Sequence, residues 1–315
     1  MANAVEIRSV SSQMRLAGFV VTVSLLSLIS IRPLAALTRL SGSSELYSHV
    51  MLVPLLSAYL IWIKRKELVA TGRLSLGMEA GIGFIAGCIG AISYGLAARR
   101  FTLANDDYLF LAMSSFVSFV VAAGLFFGGR ENAPVLLFPL CTLFLMVPFP
   151  SIVTHFITSC LQYGSAEVAY LLIKMTGTPI AREGLVFLLP GLSVTVAEEC
   201  SGIRSTMVLF ITSLVGGYMF LNKTSHRAAL LISVLPIAIM RNGLRILTIS
   251  WLTVHVDREI INGPVHKHGG PPFFVLSLIP LFCLLLWFRK RENRERDLAG
   301  KSDGGIKGPQ AVTIP

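Results

Sequence analysis

One cysteine of the sequence stands beside charged residues at the start of a long apolar stretch. The run from 194 to 206 reads VTVAEECSGIRST, so Cys200 directly follows Glu198 and Glu199, and Arg204 lies four residues further on. The other cysteines, at positions 88, 141, 160 and 283, lie in apolar runs, where cysteine behaves as a small hydrophobic residue. Cys200 is therefore the candidate nucleophile, and its surroundings indicate thiol catalysis.

A cysteine reacts as its thiolate, and an unperturbed thiol has a pKa of about 8.5. Cys200 precedes a predicted helix, whose positive N-terminal end favours the thiolate, and Arg204 would add positive charge one turn further on. Gly202 would leave room for a substrate backbone near the sulfur. His266, in a later polar loop, has the chemistry to deprotonate the thiol and to protonate a leaving amine. Arg245 would stabilise either the thiolate or an oxyanion, and the pattern leaves both roles open.

Further polar residues near these positions are candidates for supporting roles. We expect Glu199 to pack or to form an ion pair rather than act as a base. Arg241 and Asn242 precede Arg245 in one apolar stretch, and arginine is costly in lipid, so both arginines should face protein or water. Arg241 would alternatively serve only as the ion-pair partner of a glutamate beside the cysteine. His268 follows the first histidine by two residues, which leaves the choice of base open.

The chain as a whole is too apolar for a water-soluble domain. Of its 315 residues, 54% are hydrophobic and 14% charged, and the mean hydropathy is +0.71. The net charge of +10 comes from basic clusters beside apolar stretches, which is typical of the positive-inside rule, and no aromatic face is interleaved with them. This pattern argues against nucleic-acid binding. The cysteines form no C-x-x-C pair, so we predict no zinc or disulfide framework and no cofactor.

The apolar stretches predict an all-α, polytopic membrane bundle of about eight transmembrane helices. Their approximate ranges are 16–37, 50–63, 77–97, 108–127, 134–147, 202–221, 228–254 and 271–288. The stretch 152–175 carries charged and amide residues and predicts an interfacial or re-entrant helix. Two β-branched runs around Pro190 and Gly191 predict a small β-hairpin before the active-site helix.

Basic flanks orient this bundle. The first apolar stretch has no clear cleavage site and predicts a transmembrane helix rather than a signal peptide. Both termini are expected in the cytoplasm, with one integral-membrane domain over 1–288 and a basic, disordered tail over 289–315. Counting crossings from either end then places Cys200 on the extracytoplasmic side, provided that 152–175 does not cross. Arg245 lies about 25 Å along its helix at 1.5 Å per residue, near the same surface, and His266 follows in the next outer loop.

Three sequence blocks together resemble the signatures of the exosortase/archaeosortase family of membrane cysteine transpeptidases. They are AEECSGIR at 197–204, NGLRI at 242–246 and the H-x-x-x-G pattern at 266–270. An early block, YSHVMLVPLLSAYLIW at 47–62, is also similar to that family, so the resemblance spans most of the chain. It implies that Cys200 is the nucleophile and that Arg245 and His266 complete the site. Pro271 departs from the family pattern, which has an aromatic residue there.

The resemblance also implies a substrate class. Family members recognise proteins with a C-terminal signal made of a short motif such as Pro-Glu-Pro, a transmembrane helix and a basic cluster. They are thought to cleave near the motif and to transfer the protein to an acceptor, in systems associated with exopolysaccharide production in Gram-negative bacteria. We therefore expect an inner-membrane enzyme whose site faces the periplasm, membrane-anchored protein substrates, and an acceptor nucleophile that the sequence does not identify.

Two other classes of function use the same residues differently. A transporter or flippase for polysaccharide precursors would use Arg241 and Arg245 as anion sites. A non-catalytic assembly factor would need none of the three predicted catalytic residues. Replacement of Cys200 by serine separates these alternatives from a thiol enzyme, because only the enzyme requires the sulfur.

Overall fold

The computed structural model describes residues 2–69, 77–100, 105–189, 192–196, 201–256 and 270–303. These ranges form α-helices, short 3-10 turns and one small sheet. The α-helices are α1 (Ala2–Ile29), α2 (Ile31–Ser43), α3 (Val53–Lys64), α4 (Met78–Arg100), α5 (Asn105–Gly128), α6 (Ala133–Cys141), α7 (Ser151–Met175), α8 (Ile203–Phe220), α9 (Thr224–His255) and α10 (Gly270–Asp303). The chain divides into two compact units, Met1–His155 and Phe156–Pro315, and each is described by itself.

The described helices confirm a polytopic membrane bundle. Five of them, α4, α5, α8, α9 and α10, are long and apolar enough to cross a bilayer. Two bent pairs, α1 with α2 and the segment Arg130–Met146 with α7, qualify only when each pair is taken together, which raises the number to seven. Such a pair is either a broken span or a re-entrant loop. The eighth predicted crossing corresponds to α3, whose 12 residues are about 18 Å long.

The first apolar stretch is not the single helix that the hydropathy predicted. A bend of 78° separates α1 from α2. Ser30 between them has φ −94° and ψ 20°, outside the helical region. Pro33 lies in the first turn of α2, where its missing N–H is tolerated, whereas inside a continuous helix it would remove a hydrogen bond. The proline therefore starts a second helix instead of ending the first.

Small residues bring α4 and α5 together in the first unit. A Cβ atom on Gly83 would lie 3.2 Å from the Cβ of Ala122, and one on Gly90 would lie 3.1 Å from the Cβ of Ser115. The hydroxyl of Ser115 donates a 2.8 Å hydrogen bond to the carbonyl of Gly87. Such close packing is typical of membrane helices that are rich in Gly and Ala, as α4 is.

The second unit contains a three-stranded antiparallel sheet, formed by β1 (Ala181–Glu183), β2 (Val186–Leu189) and β3 (Leu192–Thr195) in that order. The pairing of Leu189 with Leu192 confirms the predicted hairpin, although its turn, 190–191, lies outside the described residues. Strand β1 is only three residues long and was not predicted from the sequence. Arg182 of β1 forms a 2.8 Å ion pair with Glu167 of α7, so the sheet is attached to that helix.

The last helix does not end at Phe288, where the apolar stretch ends, but continues to Asp303. The predicted disorder of the basic tail therefore does not hold for 289–303, and 304–315 lie outside the described residues. Arginine, lysine and glutamate are good helix formers, and Arg291 pairs with Glu295 one turn later at 3.4 Å. Glu292 also receives hydrogen bonds from the residues before α9. The polar residues 289–303 therefore form a solvated continuation of the last helix.

Candidate functional site

The two long helices α8 and α9 form an antiparallel hairpin that brings the second sequence block to the first. A turn over 221–223 connects them. Because both helices rise 1.5 Å per residue, positions equally far from this turn lie side by side, and Gly202 and Asn242 are such a pair. The residues before α8 therefore meet the middle of α9, about 27 Å from the turn.

Gly202 occupies the position just before α8 and has a conformation that favours glycine. Its φ is +72°, in the left-handed region. A Cβ atom there would also lie 2.6 Å from Nη2 of Arg241 and 3.2 Å from Oδ1 of Asn242. The glycine therefore leaves room for the side chains of Arg241 and Asn242 beside the start of α8. The space that the sequence suggested for a substrate is taken up here by Arg241.

Three buried polar residues and one half-buried glycine lie at this end of the hairpin, and we call them the mouth cluster: Ser201, Arg241, Asn242 and Gly202. Arg241 is only 5% exposed, and both Ser201 and Asn242 are 1% exposed. Nη2 of Arg241 donates a 3.1 Å hydrogen bond to the carbonyl of Gly202. Nη1 of Arg241 and the hydroxyl of Ser201 are buried and form no hydrogen bond within the described part of the chain. Buried polar atoms in proteins are usually hydrogen-bonded, so these two atoms have bonding capacity that the described residues do not use.

Packing against α7 fixes the position of the NGLRI block. A Cβ atom on Gly243 would lie 2.5 Å from Cγ1 of Val168, and one on Gly164 would lie 2.9 Å from Cδ1 of Ile239. Ile246 belongs to an apolar cluster with residues of α7 and with Val196. Helix α9, which carries the two arginines, therefore packs against α7 at Ile239, Gly243 and Ile246.

The chain that leads to Cys200 is anchored up to Val196. The N–H of Val196 donates to the carbonyl of Leu185 at 2.9 Å, and Nε2 of Gln162 donates to the carbonyl of Val196 at 2.5 Å. Gln162 is buried in α7. Gln162 was not among the site residues predicted from the sequence. Gln162 could have been identified from the sequence because it is an amide in an apolar helix, and burying an amide is costly unless it is hydrogen-bonded.

The remaining predicted residues fall into two groups. Arg204 is exposed in the first turn of α8, and Arg245 is half-buried one turn, or about 6 Å, beyond Arg241 on α9. Arg204 therefore lies two residues beyond Gly202 in the chain, and Arg245 lies one helical turn from Arg241. The roles of the other residues remain predictions, because these residues lie outside the described ranges: Cys200, Glu199, His266 and His268. Among the described residues, no three His, Cys, Asp or Glu side chains are grouped as metal ligands would be.

The fold and the mouth cluster together define a helical, multi-pass membrane protein with a buried arginine at the end of one hairpin. The family model of transmembrane exosortases matches residues 41–283, which include the blocks around Cys200, Arg245 and His266. The chain belongs to the transmembrane exosortase family. Membership supports a membrane transpeptidase-type role on membrane-associated substrates in a lipid bilayer. No curated protein and no solved structure matches the chain.

Proposed function

We propose that this protein is a cysteine transpeptidase, which cleaves C-terminal sorting signals of exported proteins through a thioester on Cys200. One observation carries the proposal. Arg241 directly precedes the NGLRI block on α9, and its hydrogen bond to the carbonyl of Gly202 connects this part of α9 to a residue that follows Cys200 by two positions. Consecutive Cα atoms are 3.8 Å apart, so chain connectivity keeps the Cα of Cys200 within about 8 Å of that of Gly202. Cys200 and the arginines of α9 would therefore be able to contact the same substrate.

The first half of the reaction forms the thioester. The thiolate of Cys200 attacks the carbonyl carbon of the scissile peptide bond, and the C=O π electrons move to the oxygen. Arg245 donates hydrogen bonds to this oxyanion, a contribution worth roughly 2.7–4 kcal/mol per donor. The oxyanion then re-forms the carbonyl as the C–N bond breaks, and His266 gives its proton to the departing amine. The membrane anchor leaves and the exported protein stays bound to sulfur.

The second half transfers the protein to its acceptor. The acceptor nucleophile attacks the thioester carbon, while neutral His266 removes the proton of the nucleophile. The C–S bond breaks and returns Cys200 to its thiolate form, so no external oxidant or reductant is needed. Hydrolysis follows the same steps when water replaces the acceptor.

The other predicted residues take supporting roles in this proposal. Arg241 holds the turn at Gly202, and Asn242 packs behind it. Arg204 adds positive charge at the start of α8, where the helix dipole also favours an anion. Glu199 pairs with an arginine, and His268 is the alternative base.

The proposal includes a location and a partner. The chain lies in the inner membrane with both termini in the cytoplasm and the site facing the periplasm. The substrate is a membrane-anchored protein with a signal of the PEP-CTERM type, and the wider process is exopolysaccharide-linked sorting. The predicted orientation follows from the basic flanks, since cytoplasmic loops carry an excess of Lys and Arg.

The test is processing of a reporter protein that ends in a Pro-Glu-Pro motif, a transmembrane helix and a basic cluster. Co-expression with the wild-type chain should shorten the reporter, whereas Cys200→Ala should accumulate in membranes without shortening it. The matched control is Cys160→Ala, because Cys160 is an exposed, free cysteine on α7. Normal processing by Cys200→Ala would contradict the mechanism. Isolation of a reporter joined to Cys200, released by hydroxylamine, would establish the thioester.

A transporter or flippase for anionic precursors is the second candidate function. It is favoured by one observation, the buried nitrogen of Arg241 that has no hydrogen-bond partner within the described ranges. A transporter should keep its activity in Cys200→Ser, and a thiolate-directed alkylator should affect it only by blocking space. An assembly factor should tolerate replacement of Cys200, Arg245 and His266 alike.

A further inference from the structure

A cavity lined by two arginines lies in the first unit. It has a volume of about 510 Å³ and lies between α2, the end of α4 and the first turns of α5. Its polar lining residues are Arg32, Arg39, Ser43, Tyr94, Asn105, Asp106 and Tyr108. This volume is within the range of about 300–1,000 Å³ that is usual for small-molecule sites. Neither arginine belongs to the blocks that the proposed transpeptidation uses.

The charges of this cavity favour an anion. Arg32 and Arg39 are seven residues apart, so they share one face of α2 at a separation of roughly 10 Å along the helix. Neither forms an ion pair or hydrogen bond within the described residues. Asp106 is the one acidic residue in the lining, so the side chains leave a net positive charge. The cavity also includes the first turn of α5, whose free N–H groups add positive potential.

The rest of the cavity wall is apolar and adjoins lipid-facing helix surfaces. Leu40 and Leu109 contribute to the lining. Ile29 is 81% exposed just before α2, and Ile92 is exposed two residues before Tyr94. Exposed aliphatic side chains on membrane helices face lipid tails, and tyrosine is typical of the interface. A ligand in this cavity would therefore meet arginines at one side and hydrocarbon at the other.

The orientation of α2 agrees with a position at the membrane surface. The helix is bent by 78° from α1, buries Leu37 in the core of the first unit and exposes Arg32 and Arg39. A helix with one apolar face and basic residues on the other lies in the headgroup region of a bilayer. The cavity beneath it is then at the depth of lipid phosphates.

We propose that this cavity binds the phosphate of an anionic phospholipid headgroup, with Arg32 and Arg39 as hydrogen-bond donors. The planar guanidinium group suits phosphate because it donates two parallel hydrogen bonds. The apolar wall carries the start of an acyl chain. Inorganic phosphate offers the same oxygen atoms without the chain, so the two sources are separated by experiment. The site is independent of the proposed thiol chemistry.

The experiment measures lipid binding to the purified full-length chain in detergent by native mass spectrometry. Titration with phosphatidylglycerol should give one saturable site, whereas phosphatidylcholine and inorganic phosphate should bind much more weakly. In the double variant R32Q/R39Q, the dissociation constant for phosphatidylglycerol should rise by about tenfold or more, because two charge-assisted donors are lost. The control R294Q/R296Q removes the same charge from exposed positions of α10 and should bind like the wild type.

Two further variants keep the test decisive. Ala36→Trp retains both arginines but fills the cavity, and it should lose binding as R32Q/R39Q does. R32K/R39K retains the charge and should bind between the wild type and R32Q/R39Q. Unchanged unfolding temperatures in all variants exclude a folding defect. Equal lipid binding by R32Q/R39Q and the control would overturn the site, and binding of inorganic phosphate as tight as that of the lipid would overturn its assignment to a phospholipid.

Discussion

The two ends of the α8–α9 hairpin both bury polar groups, but only one end satisfies them. At the turn, the carboxylate of Glu292 is 3% exposed and accepts hydrogen bonds from the N–H groups of Asn222 and Lys223, at 2.8 and 3.0 Å. It also accepts from Nδ2 of Asn222 and contacts Nδ1 of His226 at 2.9 Å. At the opposite end, the mouth cluster leaves Nη1 of Arg241 without a partner among the described residues.

This difference separates a structural cluster from a candidate functional one. The N–H groups that precede α9 need acceptors, because the first turn of a helix cannot supply them. Glu292 of α10 supplies these acceptors from outside, and Phe288 stacks on His226 at 4.8 Å. The mouth cluster instead holds a buried guanidinium group, one nitrogen of which has no hydrogen-bond partner among the described residues.

The largest effect is expected at the mouth end. Arg245→Gln should lower the rate of reporter processing by roughly 100- to 1,000-fold, since a lost oxyanion donor costs about 2.7–4 kcal/mol. Its unfolding temperature in detergent should stay close to that of the wild type. Arg294→Gln, an exposed position on α10, serves as the control. Processing within about twofold of the wild type by Arg245→Gln would remove Arg245 from the site.

At the turn end, we expect a substitution to lower stability without lowering the rate of reporter processing. Glu292→Gln keeps the shape of the side chain but loses the charge and places an amide nitrogen among donors, which should cost about 1–3 kcal/mol of stability. Thermal unfolding of the purified protein would measure this loss. Processing at a low growth temperature should be almost unchanged, because Glu292 is about 27 Å from the mouth cluster along the hairpin. A selective loss of processing in a stable Glu292→Gln protein would contradict the separation of the two ends.

Much of this arrangement could be predicted from the sequence because hydropathy and helical rise act locally. The ends of α5 and α8 lie within a few residues of the predicted ones. The rise along α9 placed the arginine-bearing block at the level of the start of α8, and the bond from Arg241 to Gly202 agrees with that placement. The small hairpin followed from its turn residues.

The features that the sequence did not indicate depend on distant partners. The continuation of α10 past Phe288 involves Glu292, whose partners lie about 70 residues earlier in the chain. Gln162 is explained only by the carbonyl of Val196, 34 residues away. The break before α2 was missed because a proline near an apolar end can either stop a helix or begin one. No local pattern distinguishes these cases.

A smaller effect is expected from crowding the mouth cluster. Gly202→Ala puts a side chain at φ +72°, which costs about 1–2 kcal/mol, and the new Cβ would lie 2.6 Å from Nη2 of Arg241. The guanidinium must then move away from the carbonyl of Gly202. Reporter processing should fall by about tenfold, with a modest drop in unfolding temperature. Gly216→Ala is the control, because its Cβ would meet only Leu285 at 3.7 Å. Equal activity of the two variants would mean that the contact between Arg241 and Gly202 does not matter for the reaction.

The smallest effect is expected at Lys223, where a substitution can remove the side-chain ion pair and keep the backbone hydrogen bond. Lys223 contributes to this end in two ways: its N–H donates to Glu292, and its ammonium group pairs with the exposed Glu295. Lys223→Met removes only the ion pair and keeps the N–H, and exposed pairs contribute little because water and salt screen them. We expect no measurable change in unfolding temperature at physiological salt and full reporter processing. If Lys223→Met instead destabilised the protein as much as Glu292→Gln, the exposed ion pair rather than the buried carboxylate would hold α10 to the hairpin. The satisfied cluster would then no longer explain the stability of that end.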